Sequence, residues 1–302
     1  SIYFDIPKDI IIAKHAKGAS EFIELEDKSL IHVRDEGKKD GDTLVLIHGF
    51  NGSLFNFETM NKYLSEDFRV ISLDLPAHGL TGPVNSNFYS FDGFIKVINE
   101  VLEIKNVNEF YLAGHSMGGR VVWHYTIDYP EKVRGLLIIG SAFLANEQEY
   151  VEFQSDNAPP IAFKLLEIPF LRMLLGYVTP RFIVSQAAYQ TVYNQNIMTE
   201  ELIDQFHEII LLEGSREAMG HLIVSTDKDF VADPLLLQKI KIPALIVHGD
   251  EDNLVDVRFN KHFLQNIQNI KLISYPEVGH MPPMEIPKQL AFDIETFVRA
   301  NK

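Results

Sequence analysis

The sequence contains no cysteine. Disulfides, thiolate nucleophiles and cysteine-ligated metal sites are therefore excluded, while the redox compartment stays undecided. Basic residues are also scarce: 27 Lys and Arg stand against 42 Asp and Glu, a formal net charge of −15 at pH 7. A surface of that sign repels nucleic-acid phosphates and anionic membranes, so neither is expected as a partner. No run of about 18 apolar residues occurs, and no bilayer-spanning helix is expected. Internal repeats, low-complexity tracts and flexible linkers are missing too. The 302 residues, 46% hydrophobic and 23% charged, suffice for one large α/β domain with an insertion or for two ordinary domains. The chain starts at Ser1, not Met. Two expectations follow: a trimmed initiator and a cytoplasmic protein, or an absent upstream leader or membrane anchor.

What is present is a rhythm of strands and helices. Residues 1–20 carry Ile10-Ile11-Ile12 among lysines and read as an arm packed on the domain surface. Alternation at Glu21–Leu25 and Leu30–Val33 predicts an edge hairpin. Thr43–Ile47, Phe68–Leu73, Tyr111–Ala113, Arg134–Ile139 and Ala244–Val247 are solid apolar runs, as expected of parallel strands buried on both faces, and Ile270–Ser274 adds an eighth strand. Helical patterns lie between them from Ser53, Ser90, Ser116, Asp233, Asp256 and Pro287. Strands alternating with helices predict a mainly parallel eight-stranded sheet with helices on both faces.

The rhythm breaks between Phe143 and Thr226, where helix starts occur at Thr179-Pro180, Thr199-Glu200-Glu201 and Ser215-Arg216-Glu217 without a strand. The block holds Phe153, Phe163, Phe170, Met173, Tyr177, Phe182, Tyr189, Tyr193, Met198, Phe206 and Met219. Most of these must form the helices' own small core. An all-helical insertion between two strands is nonetheless expected to cap the strand ends and line a pocket. The predicted division is a core of residues 1–142, a helical cap of 143–230 and the rest of the core in 231–302.

Tyr111-Leu112-Ala113-Gly114-His115-Ser116-Met117-Gly118-Gly119 is a strand running into a helix through Gly-x-Ser-x-Gly. On so sharp a turn the serine is expected at positive φ, its hydroxyl clear of both elements, with glycines where side chains would collide. The helix N-terminus offers backbone N–H groups to developing negative charge. An ordinary helix-capping serine is the competing reading, and the flanking glycines count against it. Ligands of open α/β sheets bind beyond the carboxyl ends of the strands. There the sequence places His48-Gly49-Phe50, Ser116, Asp250 with Asp252, and His280.

These motifs, with Asp74-Leu75-Pro76-Ala77-His78-Gly79 and His248-Gly249-Asp250-Glu251-Asp252-Asn253-Leu254-Val255, resemble those of α/β-hydrolase-fold serine esterases and lipases over nearly the whole chain. One departure is Ala77, where the family usually has glycine. The resemblance implies Ser116 as nucleophile, His280 as general base and Asp252 as the acid that orients it. Asp250 is the rival acid, and Asp256 is expected to cap the next helix. The backbone N–H groups of Phe50 and Met117 are implied as the oxyanion hole, with His48 holding that loop in shape and Asp74 structural. His115 and His248, at tightly constrained strand ends, are weaker candidates for the base.

The implied activity is hydrolysis of carboxylic esters of small to medium apolar acyl groups through an acyl-enzyme, with no cofactor and no metal. Carbon–carbon bond hydrolases, lactonases, amidases and perhydrolases use the same triad. A non-catalytic binder of a small hydrophobic ligand is the reading from another class. Dehalogenases and epoxide hydrolases of this fold place aspartate at the elbow, against which Ser116 argues. The stretch from Asp74 to Pro83, with the arm before Ser20, resembles a bacterial subgroup that often carries an N-terminal hydrophobic anchor. Oligomeric state is not legible.

Overall fold

The computed structural model describes residues 4–156, 178–226 and 229–302. Its strands are β1 (Ser20–Glu24), β2 (Leu30–Gly37), β3 (Thr43–Ile47), β4 (Arg69–Leu73), β5 (Phe110–His115), β6 (Val133–Ile139), β7 (Ala244–Gly249) and β8 (Ile270–Tyr275). They form one sheet in the order β1-β2-β4-β3-β5-β6-β7-β8. The β1–β2 and β2–β4 pairs are antiparallel and every other pair is parallel. The chain therefore has the α/β-hydrolase fold, a mainly parallel eight-stranded sheet with the expected hairpin at one edge.

The described α-helices are α1 (Lys8–His15), α2 (Glu58–Leu64), α3 (Phe91–Ile104), α4 (Met117–Asp128), α5 (Glu147–Asp156), α6 (Arg181–Gln190), α7 (Glu200–Ile210), α8 (Ser215–Thr226), α9 (Lys261–Asn266), α10 (Pro282–Glu285) and α11 (Pro287–Ala300). Successive strand residues point to opposite faces, which sorts the apolar runs into two cores. Val45, Ile47, Leu112, Leu136 and Ile246 pack under Phe94, Ile98, Val121 and Tyr125 of α3 and α4. Leu44, Leu46, Tyr111, Leu137 and Leu245 pack under Met60, Leu64, Leu290 and Ile294 of α2 and α11. Burying each such side chain stabilises the fold by about 1.5–3 kcal/mol before entropy is charged against it.

Caps set where helices begin. Ser90 Oγ accepts Gly93 N–H at 2.9 Å before α3, and Thr199 Oγ1 accepts Leu202 N–H at 3.2 Å before α7. Three predicted helices open differently. The segments after Ser53 and Asp256 start as 3-10 turns over Leu54–Phe57 and Val257–Asn260, and the one after Asp233 is a 3-10 helix over Pro234–Lys239 that leads to β7 without an α-helix. Asp233 and Asp256 each accept an N–H two residues ahead, at 2.9 Å, a local bond that favours a tight turn.

Helices α5 to α8 lie between β6 and β7, as the break in rhythm predicts. Met198 and Ile203 are buried there, against Tyr189 and Phe206 and with Met281 from the loop after β8. Phe182 is exposed instead, and Met219 packs on the main core. Phe163, Phe170, Met173 and Tyr177 lie outside the described residues. The N-terminal arm is helical and docks on this insertion. Ile6 pairs with the chain at Leu211 and Glu213, Ile11 is buried, and Lys14 and His15 both reach Glu208. Among the described residues no helix is long and apolar enough to cross a membrane.

Candidate active site

β5 lies between β3 and β6, so its carboxyl end opens near the middle of the sheet. Ser116 follows directly, at φ 53° and ψ −121°, with its N–H donating to Ile139 O at 2.8 Å. A non-glycine residue at positive φ is strained and persists only where its surroundings dictate it. Here they do. A Cβ on Gly114 would stand 2.2 Å from Gly118 O, and one on Gly118 2.4 Å from Ile47 O. Strand and helix thus approach closely enough to force the turn, and Ser116 stays half-buried at its tip.

Asp252, in the loop after β7, is held from both ends. Its Oδ1 accepts the N–H groups of Leu254 and Val255, each at 2.8 Å. Its Oδ2 accepts His280 Nδ1–H at 2.8 Å and lies 3.4 Å from His248 Nε2. Burial pushes the carboxyl up, but His280 and His248 facing it outweigh burial and hold it well below the usual carboxylate range. An ionised Asp252 can only accept, so His280 Nδ1 carries the proton and a neutral imidazole keeps its lone pair on Nε2. Asp250 is exposed, and Asp256 caps the following 3-10 turn through Arg258 N–H.

His280 is tied to the elbow by its backbone. His115 Nε2–H donates to His280 O at 2.7 Å, and the two rings lie 4.8 Å apart. Burial, then the neighbouring His280 imidazole, brings His115 down to about 3. His115 is thus a neutral donor that spaces the His280 loop from the Ser116 turn. His248 is also fully engaged, Nε2–H donating to Val255 O at 2.7 Å while Nδ1 accepts from Asn260. Among the described residues no hydrogen bond joins Ser116 Oγ to the His280 ring. Nucleophile–base contacts commonly tighten only once substrate is bound.

The third component is the loop after β3. His48 Nδ1–H donates to Gly49 O at 2.8 Å and Nε2 accepts Leu75 N–H at 3.0 Å. Both ring nitrogens are used, and burial lowers the pKa, so the ring is neutral. This arrangement holds the turn that carries Phe50 against the elbow, where a Cβ on Gly49 would meet Ser116 Cβ at 2.8 Å. Asp74, fully buried, accepts Leu54 N–H, Leu80 N–H and His32 Nδ1–H, each at 2.7 Å. Ala77 adopts φ 68°, the left-handed conformation that glycine takes without strain. Met117 opens α4, and its N–H belongs to the first turn, where no helical carbonyl is available.

Ser116, Asp252, His280 and Phe50 therefore belong to the strand-end loops after β3, β5, β7 and β8, and Met117 opens α4 next to Ser116. Sequence reasoning did not single out Thr191, whose carbonyl accepts His280 N–H at 2.8 Å. A main-chain contact of that kind leaves no mark on residue type. Among the described residues no group of three or more His, Asp or Glu is placed to hold a metal ion.

The fold recurs among known proteins. A family model described as the alpha/beta hydrolase fold matches residues 42–172. The chain is 26% identical over 269 residues to an uncharacterized hydrolase, YugF, of Bacillus subtilis, covering 89% of this chain and 93% of that protein. It is 26% identical over 261 residues to the human monoacylglycerol lipase ABHD6, covering 82% and 73% respectively. Among solved structures, a meta-cleavage product hydrolase from Pseudomonas fluorescens superposes with a TM-score of 0.77 at 18% identity, over 93% of this chain and 98% of that one. With its sheet order and its serine on the strand-to-helix turn, the chain has the α/β-hydrolase fold and is similar to hydrolases of that fold.

Proposed function

We propose that the protein is a serine hydrolase of carboxylic esters with small to medium apolar acyl groups, working through an acyl-enzyme on Ser116. The observation that carries this reading is the Asp252–His280 pair at 2.8 Å, whose base is tied by its backbone carbonyl to His115, the residue before the nucleophile. In this reading His280 Nε2 takes the Ser116 proton as Oγ attacks the ester carbonyl, and Asp252 stabilises the imidazolium. The N–H groups of Phe50 and Met117 receive the oxyanion, each worth about 3 kcal/mol in the transition state. His280 then returns the proton to the leaving alcohol. Water, deprotonated by the same imidazole, releases the acid and restores Ser116.

Residues 143–230 are proposed as the cap, with 1–142 and 231–302 forming the core. Supporting this, the described part of the insertion touches loops at the strand carboxyl ends: Thr191 meets His280, and Leu212 lies beside Gly82. The monoacylglycerol lipase among the relatives is consistent with an apolar acyl ester.

The test is labelling with a fluorophosphonate probe and peptide mass spectrometry, followed by a chain-length series of p-nitrophenyl esters and one carbon–carbon hydrolase substrate. Labelling at Ser116 with ester turnover is expected, and His280→Ala should abolish turnover with little change in Tm. Failure of the folded protein to label at Ser116 would overturn the reading. Labelling without ester turnover would turn it toward the binder, and preference for the carbon–carbon substrate toward that class.

A further inference from the structure

Glu285 ends the short helix α10, five residues after His280. Its carboxylate accepts four backbone N–H groups. Oε1 takes Gly279 at 3.0 Å and Met281 at 3.2 Å, the residues on either side of the proposed base. Oε2 takes Tyr193 at 2.9 Å and Asn194 at 3.3 Å, which follow α6 in the insertion between β6 and β7. The intervening N–H, that of His280, is claimed by Thr191 O at 2.8 Å. Three successive N–H groups of the base loop are thus taken by two residues, and the same carboxylate also holds the strip of insertion that supplies the middle acceptor.

The two segments lie in direct backbone contact. A Cβ on Gly279 would stand 2.7 Å from Tyr193 N and 3.0 Å from Thr191 O, so a side chain there would separate them. Hydrogen bonds from N–H to an ionised carboxylate are about twice as strong as neutral ones. A neutral amide at this place could accept through one atom only and would turn its own donors on the second pair of N–H groups.

We infer that Glu285 is a positioning residue for His280, a clamp that fixes the base loop against residues 191–194 so that the imidazole is presented correctly and the insertion is coupled to the base. The inference rests on His280 being the general base. Glu285 does not touch the reacting atoms. It acts on the backbone on both sides of the base, while Asp252 acts on the ring, His115 on the carbonyl and His248 on Asp252.

The test compares wild type, Glu285→Gln and, as a charge-removal control on the same loop, the exposed Glu277→Gln. Amide hydrogen exchange is read over 190–195 and 278–282, together with kcat and KM on a p-nitrophenyl ester and the pH profile of kcat/KM. Glu285→Gln should speed exchange in both segments together. It should lower kcat by ~10²-fold, the scale of a base displaced by about 1 Å, with KM within about threefold. The acidic limb of the profile should move to lower pH, because a base aligned less well with Asp252 holds its proton less tightly. Glu277→Gln should match wild type in all three.

Faster exchange with unchanged kcat and pH profile would leave Glu285 a purely structural tie and overturn the positioning role. Unchanged exchange in either segment would overturn the clamp itself. If wild type neither labels nor turns over, the esterase reading fails while the exchange measurement still decides the clamp. Should Glu285→Gln not fold, Glu285→Asp, which keeps the charge and shortens the reach, is read in the same way. Global unfolding of both variants would overturn a local device.

Discussion

The proposed nucleophile turn and the proposed base loop meet at one point yet are held in opposite ways. Ser116 is fixed by its immediate neighbours: the register of β5, the first turn of α4 and two glycines that leave no room for another path. His280 sits on a loop with little local reason for its shape, fixed by residues 28, 89 and 165 positions away, namely Asp252, Thr191 and His115. One half of the proposed machinery is built by backbone sterics within a few residues, the other by long-range polar ties. Damage to the first should therefore cost the fold, and damage to the second should cost activity.

The largest effect that would sharpen this contrast is on the polar side. Asp252→Asn should lower kcat by about 10³–10⁴-fold in protein that still folds, because the amide leaves His280 in the wrong tautomer. Asp250→Asn, at the exposed neighbour, should stay within about threefold of wild type. Equal losses, read by steady-state kinetics on one ester, would break the assignment.

On the steric side, Gly114→Ala should destabilise by about 3 kcal/mol or more, since the new methyl meets a backbone carbonyl that cannot swing aside. Urea unfolding checks this. A folded and fully active Gly114→Ala would show that the turn is more pliable than the geometry implies.

Acid should act next. Burial, then a neighbouring imidazole (His48 beside His78, His280 beside His115), brings both His78 and His115 down to about 3. The unfolded chain gains protons at these positions as pH falls below about 6.5, while the folded chain refuses them. The stability they preserve is therefore complete above that pH and declines as pH falls toward 3, by up to about 1.4 kcal/mol per pH unit for each group. Asp252, held low by its histidines against burial, adds to the loss only as pH falls below the ordinary carboxylate range. Tm measured from pH 7.5 to 5 should drop on the acid side. A flat profile would show that these rings are not buried neutral.

The smallest expected change is at Ala77. Its φ of 68° suits glycine, so Ala77→Gly relieves strain but frees the unfolded chain, and the net gain should be no more than about 1 kcal/mol with activity unchanged. A loss of stability would mean that the buried methyl packs to more effect than its strain costs.

Much of this was legible in the residues. Solid apolar runs predict strands buried on both faces, and two cores alternate along them as the pleat requires. The serine turn was legible because strand, serine and glycines are contiguous. The acid was harder. Asp250 and Asp252 are two residues apart in one loop, and only the path taken by Leu254 and Val255 turns the second toward the base. The N-terminal arm reads as a segment packed on the domain surface, and it does pack there, but as a helix on the insertion through Glu208 and Leu211, partners about 200 residues ahead that no local pattern announces.

Sequence alone determined the order of strands and helices and the strained turn at Ser116, because hydrophobic period and backbone sterics act between near neighbours. Only the tertiary structure decided which carboxylate faces His280, and that Glu285 grips the backbone on both sides of it. Those choices depend on hydrogen bonds between main-chain groups far apart in the chain, and a backbone N–H is the same at every residue but proline.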